Sequence, residues 1–345
     1  MIGSLASPAH IHDGEGGPLR YAEANKTTIP RWQVGVPPEG LGKGGVVAFT
    51  ESELIAARTG GLLALGFNEA MRGPLPRSQE VHIALPAYRG KRLVPVLAWL
   101  AVERLVVPRG RVAWSMTKQQ GPDSVRAVLD GLGWNLDKQR AGRVVRLHGE
   151  APAAAALPLP RGFTADLGRR SGVDLVADYG VFSPDRLDEG TALLLDIALR
   201  EPPVSRVADI GVGYGALAIG LVLNGIAPSA VGTDVDAIAL WLSEENARSN
   251  SVPLDLALSS DPMAAAPTPL TVVNVPTHID AAETAAFMAS LVERAQHGRL
   301  LIVVHASLEG RYVRYLSSHG PLQRHPGPAH VVLELGSSVG IESRA

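Results

Sequence analysis

The chain has 345 residues, 46% of them hydrophobic and 19% charged, a net charge of −2 and no cysteine. That length allows two domains of ordinary size, each with its own core, and the lack of cysteine excludes disulfides, thiolate metal sites and a cysteine nucleophile, as suits a reducing compartment. The longest apolar run, LVPVLAWLAV at 93–102, is closed off by Arg92 and Glu103 and is too short to cross a bilayer. The first residues lack the basic and apolar regions of a signal peptide. A cytoplasmic protein with no membrane partner is therefore expected, and no metal, since the ten histidines form no HExxH motif; the sequence does not give the oligomeric state, for which a monomer is favoured.

Residues 1–45 are rich in Gly and Pro without a clear period and read as an irregular lead. From 46 to 150 the pattern is α/β. ELIAARTGGLLALG reads as helix, EVHIALPA as a strand, LVPVLAWLAVERL as an amphipathic helix, GRVAWSM as a strand and PDSVRAVLDGLG as a helix. No strand here runs through a glycine-rich turn into a helix, since TGGLLALG falls inside the helical pattern, so no cofactor loop is expected. GEAPAAAALPLPRGF (149–163) is an Ala/Pro-rich linker, and the domain boundary is placed there. Charge divides at the same point. Residues 1–150 hold 19 Lys/Arg against 13 Asp/Glu and residues 151–345 hold 13 against 21. The basic half, with Arg89, Lys91 and Arg92 in YRGKR, reads either as a solvated surface or as one that neutralises RNA phosphates.

Strands and helices alternate again in residues 151–345, which implies a doubly wound, mostly parallel sheet. The strongest local signal is VADIGVGYGALAIG, an apolar strand ending at Asp209 and passing through Gly211, Gly213 and Gly215 into a helix. Glycine lets backbone approach a ligand closely. The acid ahead of the glycines would repel a pyrophosphate and suits an ammonium group, such as the one on the methionine end of S-adenosylmethionine. The next strand ends GTDVD. Asp234 lies where a carboxylate binds both ribose hydroxyls, Asp236 is grouped with it, and Asp261, after LALSS, is placed to meet the adenine edge.

YGVFSPDRLDEGTALLL, DIGVGYG, GTDVD, VVNVPTH and RLLIVVHASLEGRYVRYL resemble, in order and spacing, the ribosomal RNA guanine-amino methyltransferases of the small-subunit methyltransferase C and large-subunit methyltransferase G type. The resemblance covers the whole C-terminal domain and extends more weakly into GRVAWSMTKQQGPDSVRAVLDGLGWNLDKQRAGRVVRLHG. It implies two tandem Rossmann-like class I methyltransferase domains. The N-terminal one (46–150) is degenerate and docks RNA, and the C-terminal one (151–345) holds S-adenosylmethionine. It also implies ribosomal RNA or a ribosomal subunit as partner.

Carried over position by position, Phe182, Ser183, Asp188 and Gly190 match a segment near cofactor and acceptor, where Phe182 reads equally as core and Asp188 as a helix cap, and His278 matches the histidine after the family's Asn-Pro-Pro-Phe tetrad. Asn274 and Pro276 match that tetrad, whereas Val275 and Thr277 depart from it. In such a tetrad the Asn oxygen and the next backbone carbonyl accept the protons of an exocyclic amine, freeing its lone pair, while the aromatic stacks on the base. Loss of that ring leaves three readings: guanine chemistry with stacking from elsewhere, a changed acceptor such as a ring nitrogen of adenine in an antibiotic self-resistance enzyme, or lost activity. A small-molecule methyltransferase and a non-catalytic RNA-binding protein that retains the cofactor are the alternatives from other classes.

Overall fold

A computed structural model of the chain describes residues 29–37, 40–87, 89–275 and 281–336. Two seven-stranded sheets dominate it. The first contains β1 (Trp32–Val34), β2 (Gly45–Ala48), β3 (Leu63–Gly66), β4 (Ser78–Ala84), β5 (Val106–Thr117), β6 (Leu136–Ala141) and β7 (Val144–Glu150), in the order β3-β2-β1-β4-β5-β7-β6. After the linker and a hairpin, β8 (Gly162–Leu167) with β9 (Arg170–Val176), comes the second sheet. It is built from β10 (Val207–Ile210), β11 (Ala230–Asp234), β12 (Leu254–Leu258), β13 (Leu270–Asn274), β14 (Arg299–His305), β15 (Leu322–Pro326) and β16 (His330–Leu335), ordered β12-β11-β10-β13-β14-β16-β15. The two orders are the same permutation. In each sheet the first five strands in chain order are parallel and the last two pair antiparallel at one edge. The fold is thus α/β with two Rossmann-like halves, as the alternating pattern predicts.

Two sequence expectations change. The irregular lead does not extend to residue 45, because Trp32–Val34 is a strand in the middle of the first sheet, fully buried, with Trp32 Nε1 donating to Pro76 O (2.7 Å). Three residues between Gly- and Pro-rich flanks are too few to show a period. ELIAARTGGLLALG is likewise not one helix. Thr50 caps α1 (Glu51–Thr59), the chain turns through Gly60 and Gly61 (φ +71°), and Leu63–Gly66 continues as β3. A left-handed glycine ends a helix because it accepts that conformation without a Cβ penalty.

The halves differ at one structural point. In the second, α6 (Ala216–Leu223) connects β10 to β11, whereas β1 and β2 are joined by residues 35–44 with no helix among those described. Gly35 and Gly211 are equivalent, each donating to the carbonyl beside it on the next strand (Val47 O and Thr233 O, both 2.8 Å) and each left-handed (φ +72° and +75°). Two residues earlier, Gln33 Oε1 accepts the amide of Gly42 and Asp209 Oδ2 accepts that of Ala218, nine residues on in both cases. The first half therefore keeps the bond and loses the charge. The space is filled too, since a Cβ on Gly35 would lie 2.8 Å from the Phe49 ring, whereas one on Gly211 would meet only Asn274 O, at 4.0 Å.

The halves meet through equivalent edges. Beyond β2 and β11, Glu51 N donates to Val235 O (3.1 Å) and Ala237 N to Phe49 O (2.9 Å), an antiparallel bridge about the Thr50/Asp236 pair. Around it Phe67 of α2 (Phe67–Arg72) packs edge-on against Trp241 of α7 (Ala237–Ser249) at 5.7 Å, and Tyr179 stacks on the same indole. Asn68 and Arg72 bind Glu244, and Arg92 makes a forked pair with Asp178 (2.6–3.1 Å). Burial alone would raise the Asp178 carboxyl, but Arg92 and the amides of Arg161 and Tyr179 outweigh it and hold it below its ordinary value.

Arg294 of α8 (Ala281–Ala295) is 1% exposed and, among the described residues, has no carboxylate within hydrogen-bonding distance. It donates instead to the carbonyls of Pro262, Ala265 and Ala266 and to Thr268 and Thr271, tying the loop after β12 to β13. Removing it strands the carbonyls of buried Pro262 and Ala265, each costing about 1–3 kcal/mol when unpaired, along with the bonds to Thr268 and Thr271. Arg294→Met should destabilise the chain by roughly 3 kcal/mol or more in urea titration, whereas Arg248→Met, at an exposed i,i+3 pair, should stay within about 0.5 kcal/mol.

Candidate active site

The site lies at the carboxyl ends of β10, β11 and β13, where the strand order reverses direction on either side of β10, the usual ligand crevice of a doubly wound sheet. Asp209, next to last in β10, is 1% exposed. Its Oδ2 accepts the Ala218 amide in the first turn of α6 (3.0 Å), and its Oδ1 has no hydrogen-bond partner. Burial pushes this carboxyl up to about 7. An orphaned carboxylate oxygen in apolar surroundings is costly unless a cation or donor arrives.

Gly211, Gly213 and Gly215 follow, all left-handed (φ +75°, +57° and +91°). Their reasons differ. Around Gly211 and Gly213 there is open space, so these two leave backbone accessible to a ligand, while a Cβ on Gly215 would come within 2.6 Å of Ser243 Oγ, which makes its role close packing against α7. Asp234 ends β11 half-buried. Its Oδ2 accepts the Gly213 amide (2.8 Å) and its Oδ1 the Asp236 amide (3.0 Å), fixing the carboxylate against the glycine loop. Desolvation raises it to about 6, partly offset by the Gly213 and Val235 amides and by the positive charge of Arg89. Asp236 caps α7 through Ile238 N and pairs with Arg89. Asp261 is exposed and caps the short turn at Pro262–Ala264 by accepting from Met263 N (2.9 Å). The structure thus brings Asp209, the glycines, Asp234 and Asp236 together, and puts Asp261 on the loop after β12.

Asn274 ends β13 beside that loop, its carbonyl oxygen 4.0 Å from where a Gly211 Cβ would lie. Its Nδ2 donates to Asp188 Oδ2 (3.0 Å) and Thr191 Oγ1 (2.9 Å). A carboxylate only accepts, so the amide nitrogen must face Asp188 and Oδ1 is left as an acceptor. Asp188 also caps α5 (Glu189–Ala198) by accepting the Thr191 amide (2.9 Å). The sequence places Asp188 near cofactor and acceptor, but its bond to Asn274 is the part sequence reasoning missed. The order Asp-x-x-Thr signals a cap, but nothing in it shows that the same oxygen holds a residue 86 positions away. Phe182 is 69% exposed on the turn leading to that cap, between left-handed Tyr179 and Ser183. Pro276, Thr277 and His278 lie outside the described residues.

The three basic residues read as RNA contacts part company. Lys91 is exposed, Arg92 is 44% exposed in its pair with Asp178, and Arg89 is 4% exposed, donating to Tyr179 O (3.0 Å) and paired with Asp236. A guanidinium withdrawn from solvent does not reach a phosphate, so Arg89 is corrected to a contact between the halves. No helix among the described residues is long and apolar enough to cross a membrane.

Residues 172–319 match the family model of the methyltransferase small domain. The chain is 34% identical over 198 residues to the ribosomal RNA small subunit methyltransferase C of Stutzerimonas stutzeri, covering 55% of this chain and 58% of that protein. It is 31% identical over 160 residues to its namesake from Chromohalobacter salexigens, covering 45% and 46%. The chain thus spans about half the length of the curated relatives it matches. In fold it is similar to a T. thermophilus 16S rRNA methyltransferase solved with AdoMet and guanosine, at TM-score 0.65 and 22% identity, over 92% of this chain and 91% of that one. The small-domain match thus takes in the glycine loop and Asn274, and the likeness in fold extends over both halves of the chain.

Proposed function

We propose that the chain is an S-adenosylmethionine-dependent methyltransferase that modifies a base of ribosomal RNA, with the exocyclic amine of a small-subunit guanine as acceptor. The observation that carries this reading is the fixed orientation of Asn274, whose oxygen is left free to accept beside an open glycine loop. The residues fit the cofactor. Asp209 offers an unpartnered buried oxygen to an ammonium, Gly211 and Gly213 leave backbone bare, and Asp234 presents a fixed carboxylate to ribose hydroxyls. When bound, S-adenosylmethionine supplies an electrophilic methyl group on a sulfonium.

The chain's own part is to hold the amine. Asn274 Oδ1 and the carbonyl that follows it accept the two N–H protons, which localises a lone pair otherwise spread into the ring. Phe182, exposed on the turn that leads to the cap holding Asn274, is the ring available to stack on the base where the tetrad has Thr277. RNA docking falls to the first half and its positive charge, with Lys91, Arg140 and Arg143 exposed on it.

Labelled-methyl transfer to ribosomal subunits from a host lacking the modification, followed by nucleoside mass spectrometry, tests the reading. Methyl-guanosine supports it, methyl-adenosine moves the acceptor to adenine, and no transfer overturns it. Asn274→Ala should lower kcat roughly a hundredfold with cofactor affinity nearly unchanged, the scale of one preorganised polar contact.

A second outcome follows from Asp209. Its folded pKa of about 7 lies above the unfolded value, so the unfolded state ionises first, and the ligand-free chain loses stability as pH rises from about 4 to 7. Asp209→Asn should remove that loss, giving a higher thermal midpoint than the parent at pH 8 and little difference at pH 4. The same substitution should weaken S-adenosylmethionine binding at least tenfold at pH 8, because the ammonium loses its counter-charge.

A further inference from the structure

Two side chains of the first half reach the loops that carry the second half's nucleoside-side residues. Arg89 pairs with Asp236, whose amide in turn donates to Asp234 Oδ1. Asp234 and Asp236 are carboxylates two positions apart, and the charge of Arg89, 4% exposed, is set against both. Glu51, the first residue of α1, accepts from Ser259 Oγ (3.0 Å) and Ser260 N (2.6 Å) in the loop after β12. The Glu51 amide donates to Val235 O, and the Ser259 amide to Asp234 O (2.9 Å). These bonds land on segment 234–236 or loop 259–260, and Arg89 is held from its other nitrogen by Tyr179 O (3.0 Å). By contrast, the Arg72–Glu244 pair joins the same two halves on the flank of α7, away from both loops.

We infer that Arg89, with Glu51 beside it, positions the cofactor site from outside its own domain. The half that lacks a cofactor loop clamps the two loops on which the ribose and adenine of S-adenosylmethionine would rest. The argument is one of charge and of freedom. Without the guanidinium, Asp234 and Asp236 repel each other across two residues, and the segment can relax only by turning a carboxylate away from the crevice. Without Glu51, the Ser259–Ser260 turn loses its outer anchor and the adenine side has to be ordered at the moment of binding. This inference rests on the cofactor reading proposed above, and the experiment separates the two.

S-Adenosylmethionine is titrated calorimetrically into the full chain and into Arg89→Leu, Arg89→Lys, Glu51→Gln and Arg72→Ala, each checked by far-UV circular dichroism. Arg89→Leu should weaken binding roughly tenfold or more and Glu51→Gln roughly threefold, the range for residues that hold a binding group in place. Arg89→Lys, which restores the charge, should recover most of the loss, and Arg72→Ala should bind as the parent does. In methyl-transfer assays Arg89→Leu should raise KM for the cofactor and leave kcat at saturation within about twofold, since Asn274 is untouched. Failure of the parent chain to bind overturns the cofactor reading and this inference with it. Binding by the parent with undiminished affinity in Arg89→Leu overturns the inference alone, as does an equal loss in Arg72→Ala. If Arg89→Leu does not fold, Glu51→Gln decides, and parent-like affinity there overturns it.

Discussion

Asp209 is a carboxylate carried into the centre of a sheet with one hydrogen bond and one bare oxygen. Burying an ionised group this way costs several kcal/mol unless a partner arrives, and much of the second half can be understood from that constraint. Gly211 and Gly213 keep the approach to the carboxylate open, and the amide of Gly213 is turned to Asp234. The parallel order places Asp209 at the reversal point, with Asp234 on one side and Asn274 on the other. Gln33 shows the alternative. At the equivalent place in the first sheet a neutral amide makes the same bond with no charge to neutralise, no helix follows among the described residues, and the Phe49 ring crowds Gly35.

The acceptor side depends on another shared carboxylate. Asp188 starts α5 and also holds Asn274, so the orientation of the amide is tied to the start of a helix that packs against β14 and β16. Such coupling gives rigidity at the place where chemistry needs a fixed acceptor, because turning the amide would also disturb the cap.

The glycine loop and its two acids were legible because backbone approach demands glycine, and a strand with an acid at its end is a local pattern. Composition and charge change together near 150, and β7 ends at Glu150. Arg89 and Arg92 were not legible. Their partners lie 147 and 86 residues away, and a run of basic residues looks the same whether it faces phosphates or a neighbouring domain. Trp32–Val34 was too short for a period, and the helix that became α1 and β3 was misjudged because two glycines inside an apolar run read as packing rather than as a stop.

Phe49 closes the story of the first half. Its ring fills the space beside Gly35, and its carbonyl is committed to Ala237 across the domain junction. Replacing Gln33 with an acid would therefore not return a site to this half. The ring would still block the crevice, and moving it would disturb the bridge that joins the halves. The two copies of the fold are therefore not interchangeable: the ring that closes one crevice also belongs to the junction beside the other.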